Sequence, residues 1–317
     1  MILENTLFFA HIPKTAGTSF RKELENALGS DSVFYDYGSK SSETHPIVLE
    51  HLYKQHDPYA LTASELNQNH HTLIGGHVHV NKYGPLVQAQ NIISFVREPL
   101  QQVVSHFEHF KRKFGYNRTI TEFCQEKRFK NTQSRVLGGY PLESIGFIGL
   151  TEAYSDSLEI INQLFDMNLK ERSLNGNQQK TNLKYEVDSR IQALIEAENQ
   201  DDLQLYKNVK NLFEKRRAWN QKTNMPYTHS HIAKHQNNAL IGWCFQANQN
   251  QPIEIQALDN NENVLKHYLN THYRPGLKNL NAPRDGFIGL HIAPGEAKAI
   301  KSLKVKETNQ ILWESRS

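Results

Sequence analysis

The chain has 317 residues, of which 38% are hydrophobic and 22% charged, and its formal net charge is only +3. This composition is typical of a folded chain long enough to bury one or two cores, and it excludes a largely disordered protein. The small net charge provides no broad positive field for nucleic acid or an anionic membrane, so any anion must be bound at a local site.

The first half of the chain alternates short apolar runs with helical patterns. Strands are predicted at residues 7–12, 73–74 and 92–96, and helices at residues 18–28 and from Pro99 to about residue 113. Strand, loop and helix in repetition predict right-handed βαβ units, and therefore an α/β fold with a P-loop-like parallel sheet flanked by helices. Because ligands of such sheets bind at the carboxyl ends of the strands, the loops after Ile12, Ile74 and Val96 should share one crevice.

The pattern changes from helical to strand-like near residue 224. Helices are predicted at residues 154–165, 188–197 and 201–219. Beyond them, hydrophobic residues recur with a period of two at residues 239–247, 253–258, 264–269, 287–292 and 303–305. We therefore expect an α/β domain over residues 1–224 and a small antiparallel β-sandwich domain over residues 225–317. His229, His231 and His235 should lie in a plain loop, because no second cluster completes a metal-ligand set.

Residues 13–19 join the first strand to the first helix and have the features of an anion site. Gly17 allows a ligand to approach the backbone, and the free amides of a helix start would point at it. Thr18 and Ser19 add hydroxyl donors, and Lys14 supplies a point charge. The G-x-x-x-x-G-K-[ST] pattern of a nucleotide triphosphate loop is absent. The alternative is an ordinary strand–helix turn with a solvated Lys14.

A second candidate anion site follows the strand at residues 92–96. Arg97 stands directly after that strand, and Ser105 lies in the next helix. A guanidinium can bind a phosphate through two parallel N–H bonds, and the helix hydroxyl can add a third. Two anion sites at neighbouring strand ends indicate a ligand with phosphate groups at both ends of a nucleoside.

Both motifs resemble those of sulfotransferases that use 3′-phosphoadenosine 5′-phosphosulfate (PAPS). Residues 12–19 are similar to the 5′-phosphosulfate loop of that family, and residues 95–107 are similar to its 3′-phosphate motif. Their order and spacing match the carbohydrate branch that includes heparan sulfate 2-O-sulfotransferase, to which residues 147–152 are also similar. The resemblance covers about residues 5–218, with Glu98 in place of the aspartate that more often follows the arginine.

The resemblance implies a role for each matching residue. Lys14 would contact the sulfate-bearing bridge and stabilise the leaving phosphate, while Arg97 and Ser105 would hold the 3′-phosphate. Lys180 belongs to a polar loop at the place where the family often closes over the nucleotide. No metal is expected, because no carboxylate pair stands where it would hold Mg²⁺. The residues that would line the 5′-phosphate are Lys14, Thr15, Ala16, Gly17, Thr18 and Ser19.

The general base is predicted in the segment Gly75-Gly76-His77-Val78-His79, after the second predicted strand. Sulfuryl transfer to an alcohol needs a base for the hydroxyl proton, and an imidazole suits this role near neutral pH. In the resembled branch a Gly-His pair supplies that base, which implies His77. The heparan sulfate member has a second histidine two residues earlier, where this chain has Gly75. A shared role for His79 and a purely structural role for His77 are the alternatives.

Three motifs near the C-terminus, at residues 241–243, 273–277 and 286–287, resemble a small β-sandwich module of bacterial enzymes that build surface polysaccharides. The resemblance implies a glycan acceptor, and an oligomerisation or stabilising module is the alternative. Together the motifs predict a PAPS-dependent sulfotransferase acting on a hydroxyl of a carbohydrate, such as a surface or capsular glycan or its precursor. The rival functions are a P-loop kinase or NTPase that binds ATP with Mg²⁺, and a non-catalytic glycan- or nucleotide-binding protein.

The cellular location is predicted from the cysteines and the N-terminal residues. Cys124 and Cys244 lie far apart and form no CxxC pattern, which favours a reduced intracellular protein. The first residues have no signal-peptide pattern, and no apolar run is long enough for a membrane helix. We expect a cytoplasmic protein with neither a membrane segment nor a nucleic-acid partner. The acceptor sugar, the modified hydroxyl and the oligomeric state stay open.

Overall fold

The computed structural model describes residues 2–3, 5–64, 66, 72–171, 184–247, 249–278 and 280–315. The chain forms two compact units. The first unit contains Met1–Val87, Asn91–Leu142 and Phe147–Ala218, and the second contains Gln88–Gln90, Glu143–Gly146 and Trp219–Ser317. Lys180, which the sequence predicts to bind the nucleotide, lies outside the described residues.

The first unit is built on a five-stranded sheet in which neighbouring strands are parallel. In their order across the sheet the strands are β2 (Val33–Asp36), β3 (Thr72–Gly76), β1 (Thr6–Ala10), β4 (Ile92–Val96) and β5 (Phe147–Leu150). All five are buried along their whole length, as expected for a sheet covered on both faces. The predicted α/β fold with a parallel sheet is confirmed, and it gains β2 and β5, which the sequence pattern did not predict.

Helices connect and cover these strands. They are α1 (Gly17–Leu28), α2 (Pro46–Val48), α3 (Val80–Tyr83), α4 (Pro99–Phe114), α5 (Ile120–Gln125), α6 (Thr132–Leu137), α7 (Tyr154–Phe165), α8 (Ser189–Glu198) and α9 (Gln200–Lys222). The five predicted helices of this region are present as α1, α4, α7, α8 and α9, with ends that differ by at most a few residues. Within the described ranges, no helix combines the length and the apolar character needed to cross a membrane.

The sequence around α4 explains where this helix begins and ends. Pro99 lies in the first turn, where its missing N–H costs no hydrogen bond. The Glu98 carboxylate accepts hydrogen bonds from the amides of Leu100 and Gln101, and Gly115 ends the helix with a φ of 62°. Because α4 begins directly after β4, its first turns lie at the carboxyl edge of the sheet.

The second unit contains two antiparallel sheets with a common core. One sheet has the order β10 (Gly289–Ile292), β7 (Leu240–Gln246), β6 (Thr228–Lys234), and the other has the order β12 (Ile311–Glu314), β11 (Ser302–Val305), β8 (Glu254–Leu258), β9 (Val264–Leu269). Short helices α10 (Pro275–Lys278) and α11 (Pro294–Ala297) lie between strands. Buried residues of both sheets, such as Leu240 and Leu303, belong to one apolar cluster. The predicted β-sandwich is therefore confirmed.

The prediction of a plain loop for the histidines near residue 230 is wrong. His229 and His231 lie in β6, which pairs with β7 from Thr228 to Lys234. The His229 ring is buried, stacks on Phe245 with 5.0 Å between ring centroids, and donates from Nδ1 to the carbonyl of Glu143 at 3.0 Å. Cross-strand aromatic packing of this kind stabilises a strand whose sequence is too polar to be recognised from hydrophobic alternation.

Candidate active site

Three of the predicted site residues follow the carboxyl ends of three adjacent strands. Strand β1 lies between β3 and β4, and all three run in the same direction. The loop after β1 contains Lys14, the loop after β3 contains His77, and the loop after β4 contains Arg97. The parallel topology therefore brings the three loops to one edge, as the sequence predicts.

The loop after β1 has the backbone conformation of an anion cradle. Lys14 and Ala16 have φ angles of 69° and 65°, whereas Thr15 between them does not have a positive φ. Such alternation turns successive amides toward one point, and it is held at a cost when the residues are not glycine. In the described part of the chain, the amides of residues 15–18 donate no hydrogen bond. They are therefore free to bind an anion at the start of α1.

Side chains hold the carbonyl groups of this loop in place. The buried Thr15 side chain donates from its hydroxyl to the Ile12 carbonyl at 2.9 Å. The backbone amide of Thr15 takes no part in this bond. Gln102 Nε2 donates to the Pro13 carbonyl at 3.0 Å, and Arg97 Nη1 donates to the Lys14 carbonyl at 3.4 Å. The loop is thus tied to α4 and to the end of β4 through its carbonyl groups.

Gly17 is required by a neighbouring side chain. A Cβ atom at this position would lie 2.0 Å from Nε2 and 2.1 Å from Cδ2 of His11. The sequence suggests glycine here for the approach of a ligand, but in the structure the Cβ position is taken by the His11 imidazole. Beyond Gly17, Thr18 is exposed and Ser19 half-buried in the first turn of α1.

The charges beside the loop are positive and little compensated. Burial, Arg112 and Arg97 lower the pKa of Lys14, in that order of importance. Burial also lowers the pKa of Arg97, and Glu152 opposes this effect. Among the described residues, neither Lys14 nor Arg97 has a carboxylate within ion-pair distance. A site with repelling cations and free amides favours a bound anion.

Residues far away in sequence fix the position of Arg97. The buried Gln133 side chain accepts from the Arg97 amide at 2.8 Å and donates to the Arg97 carbonyl at 2.9 Å. The Asp202 carboxylate in turn accepts from the amides of Gln133 and Ser134 at 3.1 and 2.7 Å. The Tyr185 ring lies 5.7 Å from the Arg97 guanidinium. None of these contacts has a local sequence signal, and the sequence analysis missed all of them.

Ser105 lies in the first half of α4. It follows Gln102 by one helical turn, and Gln102 contacts the Pro13 carbonyl. The Ser105 side chain is buried, and its role at an anion site stays a prediction.

His77 is held in one tautomer by the backbone. Its Nδ1 atom lies 2.9 Å from the His11 carbonyl oxygen, which can only accept, so Nδ1 carries the proton and Nε2 has a free lone pair. The residue is exposed, yet desolvation by the surrounding protein lowers its pKa, and the hydrogen bond to His11 opposes the shift. Neutral His77 therefore predominates at neutral pH, with Nε2 available as a proton acceptor.

His79 is held separately from His77. Its Nδ1 atom donates to the Arg135 carbonyl at 2.8 Å, whereas His77 donates to the carbonyl of His11. Both histidines lie in the short segment between the end of β3 at Gly76 and the start of α3 at Val80. Over the described ranges, no group of three or more histidine, cysteine or acidic residues has an arrangement that could hold a metal ion.

No family model and no curated protein matches this chain. Among solved structures, a neighbour is retinol dehydratase in complex with androsterone and the inactive cofactor PAP. The two chains are 15% identical with a TM-score of 0.32, and the match covers 62% of this chain and 65% of that chain, slightly less than two thirds of its length.

Proposed function

We propose that the protein is a sulfotransferase that moves the sulfuryl group of PAPS to a hydroxyl of a carbohydrate. One observation carries the proposal: an anion cradle, a histidine with a free Nε2 and two cations that have no ion-pair partner among the described residues meet at one sheet edge. The cradle consists of the amides of residues 15–18 with Lys14, and Arg97 is the second cation. His77 is the histidine with the free Nε2.

The donor set fits a nucleotide that has anionic groups at both ends. The amides of residues 15–18 with Lys14 suit the 5′-phosphosulfate, and Arg97 with Ser105 suits the 3′-phosphate. Arg97 Nη1 bonds the carbonyl of Lys14, so the two subsites are directly connected. The resemblance of residues 12–19 and 95–107 to the PAPS motifs supports the same assignment.

The chemistry that these residues can perform is an in-line displacement. PAPS would supply the sulfuryl group and a phosphate leaving group. His77 Nε2 accepts the proton of the acceptor hydroxyl, because its Nδ1 proton is held by the His11 carbonyl. The Lys14 ammonium and the amides at the start of α1 stabilise negative charge as it develops on the leaving phosphate. The motifs of the β-sandwich unit support a carbohydrate as the acceptor.

Ligand binding tests the two anion subsites. We expect adenosine 3′,5′-bisphosphate (PAP) to bind the wild-type protein in calorimetric titration, and Arg97→Ala to weaken it roughly 10- to 100-fold by the loss of charge-assisted bonds. Arg190→Ala, which removes an exposed arginine of α8, is the matched control and should bind normally. Tight binding of ATP–Mg²⁺ with no binding of PAP would contradict the proposal and favour a kinase or NTPase.

Transfer of labelled sulfate from PAPS to a panel of glycans tests the base. His77→Ala should lower turnover by roughly 10²- to 10⁴-fold, because the acceptor proton loses its acceptor. PAP affinity should change little, since His77 lies outside the anion cradle. His79→Ala is the matched control, as His79 also donates from Nδ1 to a carbonyl but on another segment. Full turnover by His77→Ala would refute the base assignment, and PAP binding without transfer to any glycan would indicate a non-catalytic binding protein.

A further inference from the structure

A second imidazole lies against His77. The centroids of the His11 and His77 rings are 4.2 Å apart, with an interplanar angle of 40°. His11 follows β1 and His77 follows β3, so two neighbouring strands supply the pair. The His11 ring also stacks on Phe9 and is only 5% exposed, which fixes its position firmly. Burial and the nearby His77, Arg21 and Lys14 lower the pKa of His11 well below its usual range, so the ring is neutral.

The neutral His11 ring has the tautomer opposite to that of His77. Its Nδ1 atom lies 3.3 Å from the Tyr37 hydroxyl. An imidazole nitrogen is a good acceptor, and burial raises the pKa of Tyr37, so the phenol keeps its proton and donates it to Nδ1. Arg21 lies over the Tyr37 ring and has only N–H groups to offer the phenol oxygen. The proton of His11 therefore resides on Nε2.

The Nε2 atom of His11 lies beside Gly17, at the start of the anion cradle's helix. Nε2 is the His11 atom nearest to the Cβ position of Gly17, the first residue of α1. Within the described part of the chain, Nε2 forms no hydrogen bond, although the residue is almost completely buried. A ligand oxygen at the start of α1 would give this donor an acceptor.

We propose that His11 is a second catalytic histidine, whose Nε2–H donates a hydrogen bond to a sulfuryl oxygen of the phosphosulfate bound in the cradle. This inference depends on the proposed function, because it names a contact to the same substrate. The two rings thus have different roles: His77 accepts a proton through Nε2, and His11 donates a hydrogen bond through Nε2. A neutral imidazole is a suitable donor here, since it stabilises charge without transferring its proton.

The proposed transfer exchanges one sulfur–oxygen bond for another. A bond forms between the acceptor oxygen and sulfur, and the bond between sulfur and the bridging oxygen breaks. The electron pair of the broken bond stays on the phosphate oxygen, which gives PAP. The proton of the acceptor hydroxyl moves to His77 Nε2, and His11 keeps its proton throughout.

A pair of substitutions at His11 separates the donor role from packing. His11→Asn keeps an acceptor for the Tyr37 hydroxyl but has no atom at the position of Nε2, whereas His11→Gln places an N–H group there. We expect His11→Asn to lower kcat by about 10²-fold, as for removal of one preorganised donor, and His11→Gln to recover most of the loss. PAP has no sulfuryl group, so its dissociation constant should stay within about threefold in both variants.

Tyr37→Phe provides a second test that leaves His11 in place. Without the phenol proton, His11 no longer has a fixed tautomer. We expect kcat to fall about 5- to 10-fold, which is the effect of losing one hydrogen bond. Tyr59→Phe, at an exposed tyrosine, is the matched control and should keep normal turnover. PAP binding by each variant shows that it is folded.

The outcomes separate the inference from the proposed function. If the wild-type protein neither binds PAP nor transfers sulfate, the proposed function fails and the role of His11 fails with it. If the wild type is active and His11→Asn matches His11→Gln, or Tyr37→Phe keeps full turnover, only the role of His11 is refuted. An equal loss of PAP affinity and kcat in His11→Asn would indicate a structural role and would also refute the inference.

Discussion

At the scale of single residues, the protonation states of two side chains set the pH range of the proposed reaction. His77 must be neutral to accept a proton, and desolvation lowers its pKa below the usual 6.5, so activity should fall only at a pH below that value. Lys14 must be charged, and its pKa is lowered from the usual 10.5 by burial, Arg112 and Arg97. Activity should therefore fall again as the pH rises through the lowered pKa of Lys14.

Removal of Arg112 should move the alkaline limb of this profile. Arg112→Ala abolishes the repulsion that helps to lower the pKa of Lys14, so Lys14 stays charged to higher pH. The measurement is kcat/KM against pH, with Lys113→Ala as the control, since Lys113 is an exposed neighbour without an effect on the pKa of Lys14. We expect the alkaline limb to move to higher pH in Arg112→Ala and to stay unchanged in Lys113→Ala. An unchanged limb would mean that a group other than Lys14 limits activity at high pH.

The sequence predicts which site residues follow strand ends, but it does not predict the side-chain contacts that hold them, and the reason is physical. Lys14, Arg97 and His77 stand directly after strands, and the parallel sheet brings strand ends together, so their proximity follows from the order of elements. The contacts of His11 and Gln133 depend on the packing of side chains across strands and helices. No spacing in the sequence encodes such contacts.

At the scale of elements, α6 and α9 position Arg97, which we propose as the second anion subsite. Gln133 lies in the first turns of α6, and its side chain bonds both the amide and the carbonyl of Arg97. The Asp202 carboxylate, near the start of α9, accepts from two amides of α6 in place of a side-chain cap. The guanidinium is thus oriented by a chain of hydrogen bonds from α9 through α6 to the end of β4.

The elements that sequence reasoning missed are the short or polar ones. Strands β2 and β5 have four residues each, too few for a period to be recognised, and they obtain their pairing partners only from β3 and β4. Strand β6 contains two histidines and has a polar sequence, and it is stabilised by its pairing with β7. Long helices and the apolar strands β1 and β4 were predicted because their burial is visible as a local pattern.

At the scale of the whole molecule, each compact unit has one buried thiol. Cys124 belongs to the first unit and Cys244 to the second, and both are free. Burial raises the pKa of Cys124 to about 11 and that of Cys244 to about 12. The thiolate is the reactive form of cysteine, so both thiols are protected by their protonation state as well as by burial. Their reactivity therefore reports the integrity of each unit separately.

We predict that neither thiol of the native protein reacts with a thiolate-selective reagent at pH 8, and that both react after denaturation. Each unit by which the pKa is raised lowers the thiolate fraction about tenfold, so native thiols should react at least roughly 10²-fold more slowly than an exposed one. Ser30→Cys in a background lacking both native cysteines supplies the exposed reference, since Ser30 lies on the surface. In a denaturant series, the Cys244→Ser variant keeps only the Cys124 thiol, and exposure of this thiol should accompany the loss of PAP binding. The Cys124→Ser variant keeps only the Cys244 thiol and reports unfolding of the β-sandwich unit. Rapid modification of either thiol before any unfolding would contradict the burial on which the prediction depends.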